Sequence, residues 1–191
     1  MALLCSRFSG KKTEFIPAVQ TVDIYRISEK TKTAIWAQSA DAKKPYKNTG
    51  YITPYALRQA GAAGFFINHS DCPKALEEIK ELIAMAKAEN LKTLVFAKSI
   101  EELKQYDIFG ADFLSWEDPA LIASETAMVD KYKESLSTLI ASIKTPFVVG
   151  AGIRTREHYE KSLRLGAVGV VLSSQVLEAP DPASALHDLA A

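Results

Sequence analysis

The feature that most restricts this chain is a regular alternation of short apolar runs with amphipathic stretches of helical spacing. Strands separated by helices cannot meet as tight hairpins, so the crossovers impose parallel pairing. Runs apolar at successive positions, such as Phe65-Phe66-Ile67, imply a sheet covered on both faces. The runs predict strands at 15–19, 33–38, 64–69, 91–96, 111–116, 146–150 and 168–174. Helices are predicted over 22–30, from Pro54 to near Gly61, over 73–90, after Ser99, over 129–143, from Thr155 to about Leu165, and at the C-terminus. Thr53 is an N-cap with Pro54 in the first turn, Ser99 with Glu102 reads as a capping box, and Thr155 caps the next helix. The stretch 41–50 holds Pro45, Asn48 and Gly50 and reads as a loop.

That makes seven βα units without a break in composition, so residues 1–191 are expected to form a single α/β domain. Two architectures fit: a (β/α) barrel, which usually has eight units, and an open doubly wound sheet. The GxGxxG fingerprint of the second does not follow the first strand.

Composition narrows the partners. Lys plus Arg number 23 and Asp plus Glu number 23. A zero balance argues against nucleic acid, whose phosphates need a basic surplus. It leaves room for a small phosphorylated ligand held by backbone N–H groups. The two cysteines, Cys5 and Cys72, have no second Cys or His at metal-ligand spacing, so no metal site is expected. No run approaches the roughly 18 apolar residues of a membrane span. Residues 1–8 lack the basic leading region and the apolar length of a signal peptide, and a cytoplasmic location is expected.

In both architectures function gathers at the C-terminal ends of the strands. Those ends carry Gln38, Asn68-His69-Ser70, Lys98, Glu117, Gly150-Ala151-Gly152 and Ser173-Ser174. A carboxylate can remove a carbon-bound proton, a neutral imidazole can polarise a carbonyl, and glycine turns can hold phosphate. Taken singly, each has an ordinary reading: a hydrogen-bonded structural His, a surface Glu, a tight Gly turn. Trp36 and Trp116 read as packing residues, Lys43-Lys44 as a solvated loop, and His158 and His187 as solvated helix positions.

One family joins these pieces. Gly50-Tyr51-Ile52-Thr53-Pro54, through Ala60-Gly61-Ala62-Ala63-Gly64, to Ile67-Asn68-His69-Ser70-Asp71 resembles triosephosphate isomerase, most of all its archaeal type. Trp116-Glu117-Asp118-Pro119-Ala120-Leu121-Ile122 is similar to the segment opening that family's lid, Gly150-Ala151-Gly152-Ile153 to its phosphate turn, and residues 165–172 to its last strand. The resemblance runs from about Ile16 to the C-terminus. It implies a (β/α) barrel and interconversion of dihydroxyacetone phosphate and glyceraldehyde 3-phosphate without metal or organic cofactor. Glu117 would be the base that shuttles the proton and His69 the neutral electrophile. Ile122 would contact substrate from the lid, with Gly152, Ser173 and Ser174 around the phosphate. Family members form dimers or tetramers, so a homo-oligomer is expected by analogy.

The pattern departs from the family in several places. A leading strand with Asn-x-Lys, whose lysine offsets substrate charge, is not found, so the barrel is expected to be incomplete at the N-terminus by about one βα unit. Lys11 and Lys12 precede a strand, at the wrong end to replace that lysine. The lid's Gly-Thr-Gly is Ala123-Ser124-Glu125, the Gly after the last serine is Gln175, and Cys72-Pro73 stand for two arginines. Arg154 and Arg156 add positive charge near the phosphate turn. The alternative to catalysis is therefore a non-catalytic homologue that binds a metabolite or a protein. A third reading is another phosphate-handling barrel enzyme, for which Lys98 is a Schiff-base candidate by position.

Overall fold

The computed structural model describes residue 5, residues 13–118, residue 121 and residues 126–190. The order of elements is β1 (Ala18–Val19), α1 (Thr21–Ser28), β2 (Trp36–Ala37), α2 (Pro54–Gln59), β3 (Gly64–Ile67), α3 (Leu76–Ala88), β4 (Lys92–Ala97), α4 (Ile100–Tyr106), β5 (Phe113–Trp116), α5 (Met128–Lys131), α6 (Lys133–Ser142), β6 (Phe147–Val149), α7 (Arg156–Arg164), β7 (Gly169–Val170), α8 (Ser174–Leu177) and α9 (Pro182–Ala190). The strands are parallel and their order in the sheet is β1 to β7, the order of the sequence. A doubly wound sheet reverses its strand order at a switch point. None occurs here, so the fold is an incomplete (β/α) barrel with seven strands among the described residues, one fewer than usual.

The chain divides into two compact units, Met1–Val95 and Phe96–Ala191, with β4 running from the first into the second. In the first unit Trp36 pairs with Gly64 across β2 and β3. A Cβ on Gly64 would come within 2.6 Å of the Trp36 indole, so only glycine lets that ring lie over the neighbouring strand. Trp36 is 6% exposed and meets Phe66 edge to face. The Thr53 hydroxyl accepts the Ala56 N–H, and Pro54 opens α2 where no amide donor is needed. Of the stripe its spacing predicts, Leu76, Ile79, Leu82, Ile83 and Ala86, helix α3 buries the last four and leaves Leu76, at its first turn, half-buried.

In the second unit the Ser99 hydroxyl accepts the Glu102 N–H. The Glu102 carboxylate, however, accepts from the Lys98 N–H at 2.9 Å, so the expected capping box closes one residue early. The helix predicted over 129–143 is two helices, because Tyr132 leaves helical geometry at φ −119°, ψ 30°. Apart from β4, the strands are shorter than their apolar runs, most clearly β7, which ends at Val170 four residues before Ser174 opens a helix.

Asp107 ties the turn after α4 to the entry of β6. Its carboxylate accepts the N–H groups of Lys144 at 3.1 Å and Thr145 at 2.8 Å. Desolvation raises its pKa, but those donors, the Thr145 hydroxyl and the Lys144 charge outweigh it and hold the carboxyl below its usual range. A depressed carboxyl stabilises the fold above its unfolded pKa of about 3.9, and the contribution is lost as pH falls through the folded value. Asp107→Asn, an isostere of the protonated acid, is expected to cost about 1 kcal/mol at pH 7, solvent screening keeping the effect small. Urea unfolding at pH 7 and at pH 3 checks this. The gap between variant and wild type should narrow in acid, and an equal gap at both would contradict it.

Candidate active site

In the first unit, β3 delivers His69. Asn68, 5% exposed, takes the left-handed backbone (φ 62°), which Asn tolerates better than most residues. Its side-chain oxygen accepts the Lys74 N–H at 2.8 Å, which fixes the turn. The His69 Nδ1 accepts the Asp71 N–H at 3.2 Å. That nitrogen therefore carries a lone pair, and the proton of the neutral ring sits on Nε2. The Asp71 carboxylate is 3.6 Å from the same nitrogen and 91% exposed, so the backbone donor sets the tautomer.

The loops after β2 and β3 are joined by two links. Ser39 Oγ lies 3.3 Å from Cys72 Sγ, and Lys74 Nζ lies 3.4 Å from Asp41. Asp41 in turn exchanges hydrogen bonds with Ile52, through its backbone and through its carboxylate, closing the loop between them. Lys43 lies over the Tyr51 ring, 5.1 Å from its centroid, and is not merely solvated. The Lys74–Asp41 pair was not legible, since each residue alone reads as surface charge.

In the second unit Glu117 follows β5 and is 8% exposed, not a surface acid. Its N–H donates to Ala97 O at 2.9 Å, which pins the strand end. A Cβ on Gly150 would overlap Ser115 Oγ and would lie 2.9 Å from Glu117 Cγ and 3.4 Å from its Oε1. The backbone at 150 thus passes flat against both side chains. Ser115 is fully buried, and its hydroxyl has no hydrogen-bond partner among the described residues. Sequence reading missed it, because a lone Ser in a strand carries no pattern.

Gly152 has φ 70°, and a Cβ there would come 2.7 Å from Thr126 O and 2.8 Å from Ala127 Cα. The turn after β6 therefore lies directly on residues 126–127. Asp118 accepts the Tyr132 hydroxyl at 2.6 Å, with Lys131 Nζ at 3.7 Å, and the Trp116 and Tyr132 rings stack at 5.0 Å. His158, expected to be solvated, is instead 17% exposed. It accepts the Arg154 N–H through Nδ1 and sets Nε2 3.2 Å from Asp130, which also binds Lys161 at 2.9 Å. His187 is 66% exposed, as expected.

Strands β6 and β7 are neighbours, so Gly152 and Ser173-Ser174 follow adjacent strands. Ser173 precedes the four-residue α8 and Ser174 opens it, and both are exposed. Gln38 reaches the Ala18 carbonyl at 3.4 Å. Ile122, Ala123-Ser124-Glu125, Lys11 and Lys12 lie outside the described residues. Among the described residues no group of three or more His, Cys, Asp or Glu could hold a metal ion, and no helix is long and apolar enough to cross a membrane.

Comparison with known proteins places these residues in context. The family description "Triosephosphate isomerase" matches residues 3–107, and "Thiazole biosynthesis protein ThiG" matches residues 118–190. Triosephosphate isomerase of Methanobacterium bryantii is 34% identical over 177 residues, covering 89% of this chain and 77% of its own. That of Methanosarcina barkeri is 29% identical over 195 residues, covering 99% and 88%. Among solved structures, a 3-hexulose-6-phosphate synthase superposes with a TM-score of 0.71 at 16% identity, covering 99% of this chain and 93% of its own. That last likeness concerns the fold alone.

Proposed function

The chain belongs to the triosephosphate isomerase family, and on that premise we propose that it interconverts dihydroxyacetone phosphate and glyceraldehyde 3-phosphate. The observation that carries the proposal is Glu117: a carboxylate at a strand end, 8% exposed, lying against Gly150, where any side chain would crowd it. Glu117 takes the proton from carbon 2 of the aldose and returns it to carbon 1 of the ketose. His69, neutral and protonated on Nε2, gives that proton to the carbonyl oxygen on carbon 1 as charge develops there and takes one back from the hydroxyl on carbon 2, which becomes the ketose carbonyl. Gly152, Ser173 and Ser174 hold the phosphate, and Ile122 contacts the substrate. The reaction calls on no metal or organic cofactor, and the active form is a homo-oligomer.

The second reading, a binding homologue without turnover, draws on Gln175 and on Ala123-Ser124-Glu125, where the family has glycines. One inhibitor separates the two. Phosphoglycolate carries a planar carboxylate where the enediolate would form, so a catalytic site holds it better than substrate. The purified 191-residue chain should turn over glyceraldehyde 3-phosphate and bind phosphoglycolate at least about a hundredfold tighter than its KM for the triose. Similar affinity for both, with no turnover, would favour the binding homologue.

A further inference from the structure

Ser115 and Glu117 alternate with Trp116 along β5 and its end, so they project to the same face while Trp116 stacks on Tyr132. Both lie against Gly150, where a Cβ would overlap Ser115 Oγ and sit 3.4 Å from Glu117 Oε1. No side chain separates them at that point, because residue 150 has none. The Ser115 hydroxyl is 0% exposed and without a hydrogen-bond partner among the described residues. Buried hydroxyls are rarely left unbonded, and the carboxylate is the charged acceptor that flanks the same backbone.

We propose that Ser115 is a positioning residue for Glu117. Its hydroxyl donates to the carboxylate, by rotation about its own Cα–Cβ bond or through one trapped water, and holds it in the orientation that takes the substrate proton. Alanine keeps the serine Cβ and lacks only the hydroxyl, so it removes the donor with the smallest change in packing. A role in packing alone should leave the rate nearly unchanged, and a positioning role should not. The kinetic consequence rests on the isomerase reading above; the hydrogen-bonded link itself does not.

Two measurements decide it. Ser115→Ala, checked for folding by circular dichroism, should lower kcat about tenfold and leave KM within about twofold, since only the orientation of the base has changed. A kcat within twofold of wild type would overturn the proposal. A high-resolution crystal structure of the full 191-residue chain should show Ser115 Oγ joined to the Glu117 carboxylate directly or by a single water. A hydroxyl bonded only to a backbone carbonyl would overturn it. If the wild-type chain shows no turnover, the isomerase reading fails, and the crystal structure alone still decides the link between Ser115 and Glu117.

Discussion

Glu117→Gln is expected to reduce isomerisation by about a thousandfold or more while the protein stays folded. The substitution keeps the shape of the side chain and replaces a base with an amide that cannot accept a proton from carbon. The position is 8% exposed, so a neutral group there carries no desolvation cost that the carboxylate did not already bear. The loss should fall on kcat with KM little changed, because the missing step is proton transfer and not phosphate binding. Steady-state kinetics with wild type alongside measures it. Equal loss of binding would point instead to a collapsed site.

Gly150→Ala should reduce kcat about a hundredfold although residue 150 has no functional group. Its methyl would overlap Ser115 Oγ and crowd Glu117 Cγ at 2.9 Å. The strand cannot yield easily, because β6 is paired on both sides, with Leu114↔Phe147 and Trp116↔Val149 on one and Val149↔Val170 on the other. The side chains must therefore move, and a displacement near 1 Å at a base costs about a hundredfold in rate. The same crowding should lower stability by about 1–3 kcal/mol, as overpacking usually does. Kinetics and denaturant unfolding of the one variant test both effects. Normal kcat with lowered stability would show that Glu117 is not held by this contact.

The two glycines of the Gly150-Ala151-Gly152 turn read alike in sequence, as a place for phosphate. In three dimensions they differ: Gly150 is a slot for two side chains, and Gly152 is a left-handed turn lying on residues 126–127. That distinction depends on strand β5 being next to β6, which no local pattern states. Helix starts were legible because their chemistry is local. Thr53, Ser99 and Thr155 each accept the N–H three residues on, and each was marked by its own side chain.

Helix interiors were less legible. Residues 129–143 have helical spacing throughout, yet Tyr132 breaks the run, and its ring stacks on Trp116 while its hydroxyl reaches Asp118. Strand ends were overestimated for the same reason: residues 15–17 are strand-like in composition, but only Ala18 and Val19 pair in register with β2. His69 and Glu117 were placed at strand ends by alternation alone, and the family motif supplied their roles. The tautomer of His69 required the Asp71 amide to be seen in place.

If Glu117 moves a proton between two substrate carbons, solvent hydrogen must enter the product during turnover. The most direct test follows glyceraldehyde 3-phosphate in heavy water by proton magnetic resonance, with the wild-type 191-residue chain beside Glu117→Gln. A base that exchanges with solvent between taking and returning the proton leaves deuterium on carbon 1 of the dihydroxyacetone phosphate formed. Singly deuterated product should accumulate with wild type and fall to the uncatalysed rate with the variant. Wild type no faster than Glu117→Gln would contradict that role.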